Sequence, residues 1–233
     1  MIIEIVTLFP DMFRGPLDES IVDRARRSGH VHIRLHNLRD WAEGPHRKAD
    51  DEPFGDGAGM VMKVEPLTRC VEDLKSRAAG DCRVILLSPQ GPVFTQRRAR
   101  ELAVDDGHLV LVCGHYKGVD ERFIERCVDE EISIGDYILS GGELGAMVLT
   151  DALVRLLPGA ISRAESAGTD SLEDGLLDAP QYTRPAEFEG AGVPEVLLSG
   201  HHARIEEWRG QQRRERTRIK RPDLYRSYEN KNK

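Results

Sequence analysis

Short apolar runs alternate with segments of helical spacing along the first two-thirds of the chain. The strand-like runs are Ile2–Phe9, Val31–Asn37, Arg83–Leu87, Leu109–Cys113 and Ile132–Leu139. Runs of this length, rich in Val, Ile and Leu and separated by helical segments, are typical of buried parallel strands. The pattern therefore predicts an α/β fold with a largely parallel sheet.

Helix signals occupy the segments between these runs. Pro66 suits the first turn of a helix, and the apolar positions after it share one face: Leu67, Val71, Leu74 and Ala78. Thr95 is placed to cap a helix over residues 96–104, and Asp120 to cap one over residues 121–128. A longer apolar helix is predicted from Gly142 to Leu157, because Pro158 and Gly159 then end it.

The character of the chain changes after Gly159. Residues 162–199 are rich in Gly, Pro, Ser and acids without periodicity, which is typical of a linker or a long functional loop. The segment from His201 to Tyr228 has a helical and basic composition. We predict an α/β domain over residues 1–160, an interdomain linker over 161–200 and a small helical domain over 201–233.

Charge is distributed unevenly along the 233 residues. The net charge of −7 by itself argues against a nucleic-acid partner. However, residues 204–226 hold nine basic residues against four acids, a net charge of +5, whereas residues 162–199 carry −6. A basic segment on an acidic body can bind phosphates despite the overall sign, although a solvated helix face would look the same.

Composition also bears on the class of protein. With 39% hydrophobic residues the chain can bury a conventional core. No apolar run approaches the length of a membrane helix, and the N-terminal residues lack the features of a signal peptide. The four cysteines form no CxxC pair: Cys70, Cys82, Cys113 and Cys127. We therefore expect a cytoplasmic protein with reduced core thiols, no membrane contact and no metal site.

Glycine-containing strings lie at the ends of three of the predicted strands, two of them just past the strand and the third continuing an apolar run into glycines. They are Ser88–Gly91, Gly114–Gly118 and Ile134–Glu143. The carboxyl ends of strands are where open α/β sheets bind ligands, and glycines let backbone groups approach an adenine or ribose closely. Ordinary turns explain any one string alone, but three at strand ends favour a ligand site.

Other chemistries find little support. The string Gly55–Met60 follows no strand and lacks the spacing of a dinucleotide or Walker loop, so a nucleotide-dependent dehydrogenase is disfavoured. The eight histidines form no HxxxH or His/Cys cluster, and no Ser-His-Asp arrangement emerges from the spacing. A zinc or serine hydrolase is therefore also disfavoured.

Longer strings, spread over nearly the whole chain, carry a specific resemblance. They are His46-Arg47-x-x-Asp50-Asp51-x-Pro53-Phe54-Gly55-x-Gly57-x-Gly59-Met60, Ser88-Pro89-Gln90-Gly91, Gly114-x-Tyr116-x-Gly118-x-Asp120-Glu121-Arg122, Ile134–Glu143, Gly175-Leu176-Leu177-Asp178-x-Pro180-x-Tyr182-Thr183-Arg184-Pro185 and Leu197-Leu198-Ser199-Gly200-x-His202. In this order they resemble the TrmD family of tRNA (guanine-N1)-methyltransferases.

The resemblance implies a SPOUT-class fold, in which a parallel α/β domain contains a deep trefoil knot and is joined to a helical C-terminal domain. It implies a homodimer whose active site is shared between subunits. The implied reaction moves a methyl group from S-adenosylmethionine to N1 of the guanosine immediately 3′ to the anticodon of tRNA. Stimulation by Mg²⁺ is implied as well.

The resemblance also implies roles for specific residues. Asp170 falls at the position of the family's catalytic aspartate, and Arg155 at that of the arginine that supports it. The implied cofactor pocket is formed by Leu87, Ser88, Pro89, Gln90, Gly114, Tyr116, Ile134, Gly135, Asp136, Tyr137, Ile138, Leu139, Gly141 and Gly142. From the residues alone, the favoured interpretation is that Asp170 is a solvated linker acid and that Arg155 interacts with a helix dipole.

Guanine N1 carries a proton, which has to leave before the nitrogen can attack a methyl group. In the implied mechanism Asp170 takes this proton, and Arg155 stabilises the negative charge that develops on O6. Two alternatives remain at this point: another SPOUT methyltransferase that modifies the ribose 2′-oxygen, and a non-catalytic RNA-binding relative.

One residue departs from the family pattern. Lys117 stands where the family usually has glutamate. A carboxylate there attracts the cofactor's amino group or a cation, and a lysine repels both, at a cost of about 1–3 kcal/mol in a partly desolvated site. We therefore expect altered cofactor affinity or metal response, unless Lys117 points into solvent and a neighbour such as Asp120 substitutes.

Overall fold

The computed structural model describes residues 1–55, 57–104, 107–161 and 170–231. Two compact units divide the chain, Met1–Ser162 and Arg163–Lys233. The strands are β1 (Ile2–Thr7), β2 (His32–Asn37), β3 (Asp50–Asp51), β4 (Val61–Met62), β5 (Cys82–Leu87), β6 (His108–Cys113), β7 (Glu130–Ile132), β8 (Glu187–Phe188) and β9 (Ala191–Gly192). The helices are α1 (Ser20–Arg27), α2 (Val64–Arg77), α3 (Gln96–Val104), α4 (Glu121–Cys127), α5 (Glu143–Val154), α6 (Glu195–Leu198), α7 (His202–Lys220) and α8 (Pro222–Lys231).

The sheet of the first unit has the order β2-β1-β6-β5-β7, with every neighbouring pair parallel. The prediction of an α/β fold with a parallel sheet is confirmed. All five strands end at the same edge, so the loops that follow β5, β6 and β7 leave the sheet side by side.

Alternating side chains on the central strands enter two separate cores. On β6, Leu109, Leu111 and Cys113 pack with residues of α1, α3 and α5 on one face. Val110 and Val112 pack with residues of α2 and α4 on the other face. Both faces of the strands are thus buried, which is why these strands are continuous apolar runs without polar alternation.

The predicted helix caps are present. The Thr95 hydroxyl accepts a hydrogen bond from the Arg98 backbone N–H at 3.3 Å, and the Asp120 carboxylate accepts one from the Arg122 backbone N–H at 3.0 Å. Pro66 lies in the first turn of α2, as expected. Helix α5 ends at Val154, with Arg155 as its C-terminal cap.

The expected strand over Ile132–Leu139 is wrong. Strand β7 ends at Ile132, and the chain then forms a loop. The Ser133 hydroxyl bonds to both the N–H and the C=O of Gly135, and Gly135 has a φ of +149°. These local bonds replace strand pairing, and the glycine adopts a backbone conformation that an L-residue strand does not use.

The second unit contains more regular structure than its composition predicts. Within residues 170–199, β8 and β9 form an antiparallel hairpin, and α6 follows it. Helices α7 and α8 then run to Lys231, as the helical composition of His201–Tyr228 indicates. The turn between β8 and β9 uses Glu189 and Gly190, both with positive φ, so only a two-residue connection is needed.

The four cysteines are free thiols, and Cys70, Cys113 and Cys127 are buried. Burial raises the pKa of the Cys82 thiol to about 11 and the pKa of Cys70 and Cys113 still further. Cys70, Cys113 and Cys127 are core residues, as expected, and Cys82 is only partly buried.

A buried carboxylate lies among basic side chains on the α2 side of the sheet. Glu4, 2% exposed, accepts hydrogen bonds from Arg34 Nη1 at 2.8 Å and pairs with His36 Nε2 at 2.6 Å and His108 Nε2 at 3.2 Å. Burial alone would raise the pKa of Glu4, but the hydrogen bonds and charges of His36 and Arg34 outweigh it and lower that pKa.

We predict that Glu4→Gln lowers the free energy of unfolding at neutral pH by about 2 kcal/mol, because it removes a charge-assisted network. Since the folded-state pKa of Glu4 lies below 4.5, its ionised form stabilises the fold above that pH and loses this effect as pH falls. Urea unfolding of wild type and variant between about pH 7 and about pH 3.5 measures this difference. Glu125→Gln, at an exposed position of α4, serves as the control. A stability gap that stays constant down to the acid end would contradict the prediction.

Candidate functional site

Three loops converge where β5, β6 and β7 end. We call them loop A (Ser88–Gly91), loop B (Gly114–Gly118) and loop C (Ser133–Gly142). Loop A follows β5, loop B follows β6, and loop C joins β7 to α5. The central position of β5 between β6 and β7 brings all three to one part of the sheet edge.

Loops B and C are joined through their backbones. The Gly142 N–H donates to the Gly114 carbonyl at 2.8 Å, and His115 and Gly141 form an antiparallel bridge. A Cβ atom on Gly142 would lie 2.9 Å from both Leu87 Cβ and Cys113 Cα, closer than real contacts allow. Glycine is required here because the end of loop C packs directly on the ends of β5 and β6.

Loop A is joined to β7 and the start of loop C. The Ser88 N–H donates to the Ile132 carbonyl at 3.0 Å, and Phe94 and Ser133 are linked by a 2.8 Å bond from the Phe94 N–H. A Cβ on Gly91 would come 2.3 Å from the Glu131 carbonyl oxygen. These contacts hold loop A and the residues just after it against the end of β7, where loop C begins.

Several predicted cofactor residues present aromatic and apolar side chains at this edge. Tyr116, Tyr137, Ile138 and Leu139 are exposed, and Asp136 is exposed beside them. Tyr116 has a φ of +59°, which is uncommon for an aromatic residue and costs conformational energy. The Tyr137 hydroxyl donates to the Ile134 carbonyl at 3.1 Å, which folds this ring back onto its own loop.

A buried polar cluster lies beneath loops B and C. Thr7, at the end of β1, donates its hydroxyl hydrogen to Glu143 Oε1 at 2.8 Å and accepts from the Phe9 N–H at 2.9 Å. His115 Nδ1 lies 3.9 Å from Glu143 Oε2. This Nδ1 atom is buried and has no hydrogen-bond partner among the residues that the structure describes.

Glu143 and His115 belong to the quoted motifs but were not among the predicted site residues, and Thr7 lay outside every motif. Glu143, 1% exposed, is the first residue of α5, where the helix dipole favours a carboxylate. An acid directly after two glycines, at the start of an apolar helix, was the local signal that could have identified it. Its contact with Thr7 spans 136 positions and had no signal in the sequence.

Lys117 lies against a second stretch of chain. Its backbone N–H donates to the Met60 carbonyl at 3.0 Å, and a Cβ on Gly59 would lie 3.1 Å from Lys117 Cγ. The side chain as a whole is exposed. The stem of Lys117 therefore covers the glycine-rich Gly55–Met60 string at Gly59.

Asp120 is already engaged by a neighbouring arginine. Its carboxylate accepts from the Arg122 side chain at 2.9 and 2.7 Å in addition to capping α4. Hydrogen bonds from Arg122 hold the pKa of Asp120 below its ordinary value. Asp120 is consequently poorly placed to substitute for the carboxylate that the resemblance implies at position 117.

The two predicted catalytic residues belong to different units. Arg155 ends α5 in the first unit, and Asp170 is the first described residue of the second. Asp170 is half-buried, and its carbonyl accepts a hydrogen bond from the Glu173 N–H. Their roles stay predictions.

Metal-ligating side chains do not cluster in the part of the chain that the structure describes: no group of three His, Cys, Asp or Glu could hold an ion there. Nor is any described helix long and apolar enough to cross a membrane.

Comparison with known proteins places the chain in a family. The family model described as tRNA (Guanine-1)-methyltransferase TrmD matches residues 1–227. A relative from Halalkalibacterium halodurans is 54% identical over 224 residues, covering 96% of this chain and 91% of its own length.

Two further relatives agree. One from Geotalea uraniireducens is 55% identical over 221 residues, with 95% and 89% coverage, and one from Ruminiclostridium cellulolyticum is 51% identical over 229 residues, with 98% coverage of each chain. All three relatives carry the name tRNA (guanine-N(1)-)-methyltransferase. The match over nearly the whole length, together with the three joined loops at the sheet edge, means that this chain belongs to the TrmD family of tRNA (guanine-1)-methyltransferases.

Proposed function

We propose that this protein transfers a methyl group from S-adenosylmethionine to N1 of the guanosine immediately 3′ to the anticodon of tRNA. The observation that carries the proposal is the family match over residues 1–227, with relatives above 50% identity that are named for guanine-N1 methylation of tRNA. Nothing at the site favours the ribose 2′-oxygen or a non-catalytic role.

The cofactor site that we propose is the edge formed by loops A, B and C. The exposed Tyr116 side chain belongs to loop B and the exposed Ile138 and Leu139 side chains to loop C, and the two loops are joined through their backbones, so apolar side chains and polar backbone groups occur at the same edge of the sheet. An adenosyl group needs this combination, because the flat faces of its base stack on apolar side chains while the edge of the base and the ribose form hydrogen bonds. When bound, the cofactor supplies an electrophilic methyl group on a sulfonium centre.

The protein's own contribution is to position guanine and move a proton. In our proposal the Asp170 carboxylate accepts the N1 proton, and guanine bound over it excludes water and makes it a stronger base. The Arg155 guanidinium donates to O6, where negative charge develops as N1 loses its proton. The rest of the rate enhancement comes from holding N1 in line with the methyl group.

A second copy of the chain fits the exposed apolar residues beside the site. Ile138 of loop C is 83% exposed, and Leu144 and Val148, one turn apart on α5, are 49% and 47% exposed. Apolar side chains grouped in this way mark an interaction surface. We propose that they pair in a homodimer whose active site combines residues of both subunits.

Helix α7 is proposed to dock tRNA through its phosphates, as part of a helical RNA-binding domain over residues 201–233. Several of its basic side chains have no carboxylate within 4.0 Å among the described residues: Arg204, Arg214, Arg216 and Lys220. Cations without an acidic partner are available for phosphate oxygens, and such binding weakens steeply as salt rises.

We also propose the SPOUT trefoil topology for the first unit. The supporting contact is that of Gly142, which packs against Leu87 and Cys113 at the ends of β5 and β6 after the chain has formed β7 on the far side of β5. We also propose a cytoplasmic location, and the four free thiols are consistent with a reducing compartment. Stimulation by Mg²⁺ stays a prediction.

The function is tested by incubating the purified protein with unmodified tRNA and S-adenosylmethionine and identifying the product nucleoside. We expect 1-methylguanosine at the position 3′ to the anticodon. A 2′-O-methylated product would assign a different SPOUT activity, and no product with intact tRNA binding would assign a non-catalytic role.

In the same assay we predict that Asp170→Asn lowers kcat by about 10² to 10⁴, because the variant cannot accept the N1 proton. Calorimetry should show unchanged cofactor binding. Asp81→Asn, at an exposed aspartate directly before β5, is the matched control and should behave as wild type. Near-normal turnover by Asp170→Asn would show that another group is the base.

We predict that Glu143→Gln weakens S-adenosylmethionine binding roughly tenfold, since Glu143 joins β1 to loops B and C and a looser site has to be ordered on binding. Thr7→Val should act in the same direction, and Thr7→Ser, which keeps the hydroxyl, should restore most of the affinity. Calorimetric titration measures all three. Equal affinities in wild type and Glu143→Gln would remove the proposed role of the cluster.

For Lys117 we predict that Lys117→Glu tightens cofactor binding by a few-fold, about a kcal/mol or less, because the exposed side chain is screened by solvent. Lys117→Met separates the loss of the positive charge from the gain of the negative one. Titrations with and without Mg²⁺ measure cofactor affinity and metal response. Equal cofactor affinity and equal Mg²⁺ response in wild type, Lys117→Glu and Lys117→Met would rule the hypothesis out.

A further inference from the structure

A single threonine of α7 holds the segment that begins with Asp170. Thr217, fully buried, accepts a hydrogen bond from the Leu177 N–H at 2.8 Å and donates its own hydrogen to the Arg213 carbonyl at 2.7 Å. Its hydroxyl is thus used in both directions. Leu177 belongs to the stretch Asp170–Ala179, which we call the Asp170 segment.

An ion pair makes a second attachment one turn away. Arg213 Nη2 contacts Asp174 Oδ1 at 2.6 Å, and the same carboxylate oxygen accepts from the Leu176 N–H at 3.2 Å. Burial would raise the pKa of Asp174, but the hydrogen bonds from Arg213 and Leu176 lower it overall. Asp174 is therefore charged at neutral pH and linked to both the helix and its own segment.

The Asp170 segment is also held together internally. The Leu172 N–H donates to the Leu176 carbonyl at 2.7 Å, and the Asp178 N–H to the Ser171 hydroxyl at 2.9 Å. The Glu173 N–H donates to the Asp170 carbonyl at 3.4 Å, and Leu176 is buried. Displacement of the segment at Asp174 or Leu177 is consequently transmitted to Asp170 through short, bonded turns.

We propose that Thr217 and the Arg213–Asp174 pair are positioning residues that fix where the Asp170 carboxylate stands during methyl transfer. The inference rests on the proposed function, because it assumes that Asp170 is the base. A general base has to meet its proton at hydrogen-bond distance, and a misplacement of about 1 Å can cost on the order of 10²-fold in rate.

The principal variant is Thr217→Val, which keeps the shape of the side chain and removes the hydroxyl. We expect kcat to fall at least about tenfold, while the KM for S-adenosylmethionine and the affinity for tRNA stay within about twofold. Thr217→Ser restores the hydroxyl and should recover most of kcat. Kinetics are measured well below the melting temperature of each variant, so that all are folded.

Asp174→Asn tests the ion pair from its acidic side. Arg213 is the poorer choice, since it lies in the basic stretch proposed to dock tRNA, and its loss would weaken RNA binding as well. The matched control is Asp18→Asn, which breaks an exposed arginine–aspartate pair of the same 2.6 Å length, Arg26–Asp18, outside the proposed tRNA-docking helix and away from the Asp170 segment. Asp174→Asn should lower kcat selectively, and Asp18→Asn should leave it unchanged.

A double variant shows whether Thr217 acts through Asp170. If it does, Thr217→Val has little further effect on the residual activity of Asp170→Asn, since the group that it positions is already gone. Independent effects that multiply would overturn the inference. So would a Thr217→Val enzyme that is folded and retains wild-type kcat, or one whose activity falls only in proportion to its unfolded fraction.

Failure of the proposed function gives a different pattern. If Asp170→Asn turns over normally, the base assignment fails whatever Thr217→Val does. If Asp170→Asn is inactive and Thr217→Val is normal, only the positioning role fails.

Discussion

Close backbone packing at the carboxyl edge of the sheet is the constraint on which the site depends. Gly142 fits only because it has no side chain between Leu87 and Cys113, and its N–H then bonds to Gly114. This contact fixes the end of loop C, the start of α5 and the turn of loop B at once. The sequence suggested that the glycines of these loops let a ligand approach the backbone closely. Two of them, Gly141 and Gly142, are required for contacts within the protein itself, because a Cβ atom at either position would collide with neighbouring protein atoms.

Two buried carboxyl groups of the first unit, Glu4 and Glu143, are bonded to residues of other elements. Glu4 on β1 collects basic side chains from β2 and β6, and Glu143 on α5 is bonded by Thr7 of β1. A buried carboxylate is costly unless it is paired, so these residues specify which elements become neighbours as well as stabilising them. A substitution of one residue in such a cluster therefore also affects the residues that are bonded to it.

The sequence predicted the parallel sheet and most of its strands, because strands buried on both faces are continuous apolar runs. The helix caps at Thr95 and Asp120 were equally predictable, since each depends on residues only two or three positions apart. The strand expected over Ile132–Leu139 was wrong, because an apolar run does not reveal that Ser133 will bond to Gly135.

The residues of the candidate site could be named from the sequence, but the contacts that hold them could not. Their identities came from family resemblance, and the strand-end position of the three loops supported it independently. The contacts that hold them did not follow from local pattern: Thr7 meets Glu143 across 136 positions, and Leu177 meets Thr217 across 40. Only the folded chain brings such pairs together, which is why Thr217 looked like any other helix residue.

The free cysteines have a practical consequence for studying this protein. Burial keeps the thiols of Cys70, Cys82 and Cys113 protonated at neutral pH, and thiolates are the form that reacts with maleimides and oxidants. An engineered cysteine at an exposed position outside the proposed site residues, such as Ser140 of loop C, would therefore react much faster than these native ones. Fluorescent or spin labels can be attached to loop C in the natural sequence background, and the ordering of that loop followed directly as cofactor and RNA bind.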